Sequence, residues 1–218
     1  MGELLIRRRE MILSGESPSP TPTPIYELAS PLSAVSSNNN YDTGVKLFDT
    51  PKSFTILCES NTNWYPWAST QSIFGIGTGY EFRLGRTNSA NHYQSGSKTA
   101  SSSSYYNALA FNNTTPGDAD PDVKKVTSLG ARGSSGKVVR RHAVRYDHTT
   151  YKAEGFSTVG PTFYAPTERY FYLHDNYISN ATLKLEIGTS AYCGINIFKV
   201  YDSKLTDEQI NAFLNGGS

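Results

Sequence analysis

The residues best suited to recognition chemistry lie at 61–67, which read Asn61-Thr62-Asn63-Trp64-Tyr65-Pro66-Trp67. The rings of Trp64, Tyr65 and Trp67 offer flat apolar faces on which a sugar ring can stack, and the amides of Asn61 and Asn63 suit its hydroxyls. The competing reading is that the tryptophans plug the end of a hydrophobic core, the commoner fate of large aromatics. His92-Tyr93 and Tyr105-Tyr106 add aromatic residues further along. A second string, Asp118-Ala119-Asp120-Pro121-Asp122, places carboxylates at alternate positions. Hard oxygen ligands so spaced can converge on calcium, so Asp118, Asp120 and Asp122 are candidate ligands against the default of a solvated acidic turn. The string is not an EF-hand loop, because Val123 stands where that loop needs glycine. No other cofactor is expected.

Signatures of catalysis are missing. Glu-x-Asp-x-Glu on one strand, the spacing that sets carboxylates on one face for glycoside hydrolysis, does not occur. Glu81, Glu154 and Glu186 are single acidic positions in strand-like runs, each read as facing solvent. No nucleophile elbow, zinc-protease helix or phosphate-binding glycine loop is present. The four histidines, at 92, 142, 148 and 174, are dispersed. These absences favour a chain that is not an enzyme.

The elements that must position the aromatic string read as strands. Lys52–Glu59 alternates Phe54 and Ile56 against Thr55 and Leu57, and Ile73–Ile76 and Tyr80–Leu84 follow. Lys137–Tyr146 and Thr149–Phe156 read as a hairpin turning near Asp147 and His148, and Tyr170–Leu173 as a further strand. Residues 86–121, rich in Ser, Asn, Thr and Gly, read as a long loop or a set of short strands and loops. Near the end, 183–187 and 195–199 alternate and then run into a short helix over 206–215. Thr206 and Gln209 have capping-box spacing, Leu205 and Ile210 can form the hydrophobic staple, and Gly216 suits the C-terminal cap.

The chain has 218 residues, enough for one large all-β domain with a substantial core. Twenty basic and nineteen acidic residues leave a net charge of +1, which gives no electrostatic case for nucleic acid as a partner. No apolar run approaches a membrane span, and the first residues carry no secretory pattern. Cys58 is in phase with Phe54 and Ile56, and Cys193 with Ile195 and Ile197, so both face the core in this reading. Two buried thiols are expected rather than a disulfide.

Residues 183–217 resemble the last strand and terminal helix of the concanavalin A-like, or laminin-G-like, jelly roll. The matching residues are Gly194, Ile195, Val200, Tyr201, Leu205, Thr206, Asp207, Glu208 and Ile210, with Gln209 in place of the usual Glu. The run Val138 to Asp147 followed by Tyr151 also resembles that family's strand ending in a Tyr-Asp turn. The resemblance covers about 41–217 and is weakest from 86 to 120. It implies an all-β, two-sheet sandwich with a short C-terminal helix and, often, calcium at a rim. It leaves function open, since the sandwich hosts lectins, hydrolases, lyases and adhesion domains.

Residues 1–24 stand apart from residues 25–218. Leu4, Leu5, Ile6 and Met11 surround Arg7, Arg8 and Arg9, and Ser17–Pro24 is a proline-alternating spacer. A segment this short does not hold a helix alone in water, so it reads as an anchor docking into a larger assembly, against packing on its own domain or a sister subunit. The arm, the spacer and a lectin-like sandwich in that order resemble virion surface proteins of tailed phages. That resemblance implies a head fibre or decoration protein on the virion surface, assembled in the host cytoplasm. Leu4, Leu5, Arg7, Arg8, Arg9 and Met11 would dock on capsid or other virion proteins. The sandwich would contact glycans, in a homo-oligomer such as a trimer. The alternatives are a free bacterial carbohydrate-binding or adhesion module and, third, a glycoside hydrolase.

Overall fold

Phe54, Ile56 and Cys58 alternate with Thr55 and Leu57, which puts apolar groups on both faces of one strand. Each face has its own cover. A computed structural model of the protein describes residues 22–33, 39–63, 71–76, 82–88, 105–112, 124–131, 137–158, 170–173, 180–187 and 193–217. Their strands form two six-stranded antiparallel sheets. In the first, the order is β1 (Tyr26–Glu27), β12 (Cys193–Tyr201), β3 (Phe54–Asn63), β8 (Lys137–Asp147), β9 (Lys152–Ser157) and β10 (Tyr170–Tyr172). In the second it is β2 (Asn39–Lys46), β11 (Thr182–Ile187), β4 (Gln71–Ile76), β5 (Phe82–Asn88), β6 (Tyr105–Asn112) and β7 (Lys124–Ala131). One short helix, α1 (Asp207–Leu214), follows the last strand among the described residues.

The main core lies between the sheets. Phe54, Ile56, Val144, Tyr146, Phe198 and Val200 of the first sheet meet Phe74, Ile76, Leu183 and Leu185 of the second, all fully buried. Phe54 and Tyr146 stack with ring centroids 5.3 Å apart, and the Tyr146 hydroxyl donates to the Leu173 carbonyl (2.9 Å). That bond satisfies the phenol without breaking the apolar packing. The expected β8–β9 hairpin is present. Its turn ends on Tyr151 at φ +56°, left-handed backbone for a bulky residue. The Tyr151 carbonyl accepts from Leu173 N–H (2.7 Å), one of the contacts that hold it there.

The outer face of the first sheet carries a smaller core of Leu57, Ala143, Tyr201, Leu205, Ile210 and Phe213, closed by α1. The capping box of Thr206 and Gln209 is formed in both directions (2.9 and 3.3 Å), and Leu205 and Ile210 are both buried. Gly216, at φ +102°, donates to the Phe213 carbonyl as the helix ends.

Two expectations are corrected. Ile195 and Ile197 were placed on one face, but β12 bulges between them. Ile195 and Ile197 pair with consecutive residues, Ser60 and Glu59, so Asn196 is the extra residue. Ile195 therefore enters the main core while Ile197 packs on the outer one. Glu154 does not face solvent freely. Its carboxylate is bound by Arg145 (2.8 Å) and Lys152 (2.7 Å) on the outer face. As for the cysteines, Cys58 is buried opposite Phe198, whereas Cys193 lies opposite Thr62. Four positions of strand separate them by about 13 Å, too far for a disulfide.

Candidate glycan-contact site

The aromatic string begins where β3 ends. Asn61 is the β3 partner of Val139 and Gly194, and Asn63 of Lys137, so three strand ends meet there. Trp64, Tyr65 and Trp67 lie outside the described residues. So do Asp118, Asp120 and Asp122, and the arm residues Leu4, Leu5, Arg7, Arg8, Arg9 and Met11. Among the described residues, no group of three or more His, Cys, Asp or Glu could hold a metal ion.

Behind this end of the sheet the interior is polar. In the β3–β8 register Cys58 opposes His142 and Ser60 opposes Arg140, continuing the inward phase of Ile56 and Val144. Ser60, Arg140 and His142 are all buried, with Arg140 only 3% exposed. Burial lowers the Arg140 guanidinium from its ordinary value. Burial, then the neighbouring Arg140 charge, lowers His142 to about 3, so the imidazole is neutral at physiological pH. Ser60 Oγ and His142 Nδ1 find no hydrogen-bond partner among the described residues. A fixed positive charge beneath the end of β3 favours electron-rich ligand groups, hydroxyl or carboxylate oxygens, close above it. Sequence reading missed these residues. The signal was their phase: Arg140 and His142 share parity with Val144 and Tyr146.

A second surface lies on the outer face beyond α1. Tyr170 and Tyr172 project from the short edge strand β10 with ring centroids 5.7 Å apart. Tyr172 is 54% exposed, and the Lys152 ammonium sits 4.2 Å above the Tyr170 ring. Glu154 ties Lys152 to Arg145, so the charges here are paired. The arrangement offers one open aromatic face with donors beside it.

No protein-family model matches the chain, and no curated protein matches it in sequence. Solved structures match it in fold. The CBM40 of the Ruminococcus gnavus IT-sialidase aligns with 88% of this chain and 100% of its own, at 16% identity and a TM-score of 0.55. The same module has been solved bound to alpha2,6 sialyllactose and to alpha2,3 sialyllactose. The leech intramolecular trans-sialidase aligns with 91% of this chain and 29% of its own, at 17% identity and a TM-score of 0.56. A structure from work on botulinum neurotoxin type C, whose cell entry depends on interaction with two ganglioside molecules, aligns with 89% of this chain and 43% of its own. There the identity is 11% and the TM-score 0.53. At such identities the likeness shows the fold alone, a two-sheet β-sandwich.

Proposed function

We propose that the protein is a non-enzymatic, lectin-like glycan-binding protein whose contact site is the end of the sandwich formed by β3, β8 and β12. The observation that carries this reading is the match in extent: the CBM40 of a sialidase aligns over its whole solved length with 88% of this chain. The site chemistry is consistent with it. Trp64, Tyr65 and Trp67 would supply stacking faces, Asn61 and Asn63 would supply amides, and Arg140 holds positive charge beneath the end of β3. Sialylated glycans are the first ligands to test, because the aligned module was solved with sialyllactose.

The test is a glycan array followed by titration of Trp64→Ala and Trp67→Ala. Loss of one stacked ring should weaken binding by roughly 1 kcal/mol, about fivefold. Unchanged binding in both variants would move the site elsewhere on the sandwich. Reducing ends released over time from any bound polysaccharide would make the protein a glycoside hydrolase instead.

The finer reading is a phage head fibre or decoration protein on the virion surface, assembled in the host cytoplasm. Residues 1–24 anchor it to capsid proteins through Leu4, Leu5, Arg7, Arg8, Arg9 and Met11, in an oligomer such as a trimer. Its support is the amphipathic arm, the proline spacer and the domain order. Many copies on one particle would turn weak glycan contacts into useful avidity. The chain lacking residues 1–24 should fold and stay soluble yet fail to enter the particle. Equal incorporation of the truncated and full-length chains would remove the anchoring role. A free bacterial carbohydrate-binding or adhesion module is the second reading, favoured by the whole-length match to the sialidase module. Electron microscopy of particles and native mass of the protein distinguish the two.

A further inference from the structure

The edge of the first sheet opens at one place, and two irregularities coincide there. Ile25 N–H donates to the Val200 carbonyl (2.8 Å) and Leu28 N–H to the Phe198 carbonyl (2.9 Å). Leu32 and Ile195 then exchange a pair of bonds (2.8 and 2.9 Å). Between these pairings Ala29, Ser30 and Pro31 arch away from the sheet, opposite the β12 bulge at Asn196. A bulge facing an arch leaves a cleft of about 260 Å³. Bulges are conspicuously common beside binding sites, where they re-aim side chains.

The cleft is lined by the apolar Pro31, Ile197 and Phe213 and by the polar Glu27, Asn196 and Lys199, with Ser30 on the arch. Glu27 and Lys199 are cross-strand partners joined by an ion pair of 3.2 Å. Asn196 donates to Glu59 (2.9 Å), which fixes its amide. We propose that this cleft is a second binding site, specific for a single neutral pyranose ring.

Three features select that ligand. The formal charges of the lining cancel, so a carboxylate or phosphate finds no net attraction and meets Glu27. An acyl chain would bury the ion pair against hydrocarbon without compensation. A pyranose has one C–H face for Ile197 and Phe213, and hydroxyls that can donate to Glu27 and accept from Lys199 and Ser30. The volume falls just below the range of about 300–1,000 Å³ usual for drug-sized ligands, which suits one ring rather than an oligosaccharide. The site shares no residue with the one at the end of β3, so it stands or falls separately.

The test is amide chemical-shift mapping of the full chain with methyl glycosides of glucose, galactose, mannose and N-acetylglucosamine, each up to about 50 mM, enough to populate a millimolar site. At least one glycoside should shift the amides of Ser30, Asn196, Ile197 and Lys199. Glu27→Gln should weaken that binding about tenfold, the worth of one charge-assisted bond. Ser30→Trp, on the exposed arch, should block it by filling the cleft while the rest of the spectrum stays in place. The Trp64→Ala, Trp67→Ala double variant should leave it unchanged. The inference is overturned by no shift at these amides with any glycoside. Equal affinity in Glu27→Gln and Ser30→Trp, or loss of the signal in the tryptophan double variant, would also overturn it. Glycan binding that depends on the tryptophans while the cleft amides stay silent would keep the proposed function and remove this site.

Discussion

Unfolding free energy should fall by close to 1.4 kcal/mol per pH unit as the solution is acidified below pH 6.5, and His142→Gln should remove that slope. His142 is fully buried beside Arg140, and its folded-state value of about 3 lies well below the ordinary 6.5. The depressed value fixes the sign. Below pH 6.5 the unfolded chain takes up a proton that the folded chain refuses, so acid favours unfolding. The stability associated with the neutral imidazole is full above pH 6.5 and is lost as pH falls toward 3. Between pH 6.5 and 4.5 the loss from this group alone is about 2 kcal/mol, a sizeable share of the roughly 5–15 kcal/mol typical of a domain.

Asp147 extends the effect to lower pH. Lys204, then Thr149, hold its carboxyl well below the usual carboxylate range. Its contribution is present above about pH 4 and is lost as pH falls further. Urea melts of the wild type and His142→Gln across pH 4.5–7.5 check the first claim. Parallel stability curves would show that His142 does not carry the slope.

The parts of the fold that were legible in the sequence are those decided locally. The Thr206–Gln209 capping box and the Leu205–Ile210 staple are three to five residues across, so they can be read without knowing the partner sheet. The alternation of β3 and β8 was legible because Phe54, Ile56, Val144 and Tyr146 face the main core between polar neighbours such as Thr55 and Arg145.

The edge strand β2 was not legible. β2 carries Asn39, Asn40, Asp42 and a Gly44 at φ +73°, poor strand chemistry, and is held by its pairing to β11. The bulge at Asn196 was hidden for another reason. A one-residue insertion changes which face the following side chains take, and nothing in Gly194-Ile195-Asn196-Ile197 marks it.

For the candidate site the sequence offers aromatic residues by type but not the buried charge beneath the end of β3. Trp64 and Trp67 announce themselves by type. Arg140 and His142 drew no reading as buried groups, although their phase with Val144 and Tyr146 puts them inside. Glu154 was read as solvated because its partners, Arg145 nine residues away and Lys152 on its own strand, come together only in the outer-face register.

Arg141→Ala should destabilise the protein by about 3 kcal/mol and loosen α1 from the sheet. Arg141 reaches from β8 across the outer face. Its Nε donates to Glu59 (2.6 Å), and its Nη1 donates to the carbonyls of Phe213 (2.6 Å) and Gly217 (3.1 Å). The guanidinium also lies 5.0 Å from the Phe213 ring centroid. The last turn of α1 contains no basic residue of its own, so this sheet arginine supplies the positive charge that the helix C-terminus favours. Burial alone would raise the Glu59 carboxyl, but Asn196 and Arg141 together hold it below the usual range. Removing Arg141 leaves that carboxylate with Asn196, takes this donor from the Gly217 carbonyl and leaves the Phe213 carbonyl with Gly216 N–H. The expected cost is set at the lower end of about 3–5 kcal/mol because neither side chain is fully enclosed. Arg141→Lys should recover part of the loss, since an ammonium keeps the charge but cannot fork between Glu59 and the helix end. Amide exchange gives the local readout: protection at Ile210, Phe213 and Gly217 should fall in Arg141→Ala well before that of Ile56 and Val144 in the main core. A loss below about 1 kcal/mol with unchanged exchange at the helix would mean that apolar packing of Ile210 and Phe213 alone seats α1. Because Phe213 also lines the cleft beside Asn196, the same variant should broaden the cleft amides, linking the sheet arginine to the shape of that site.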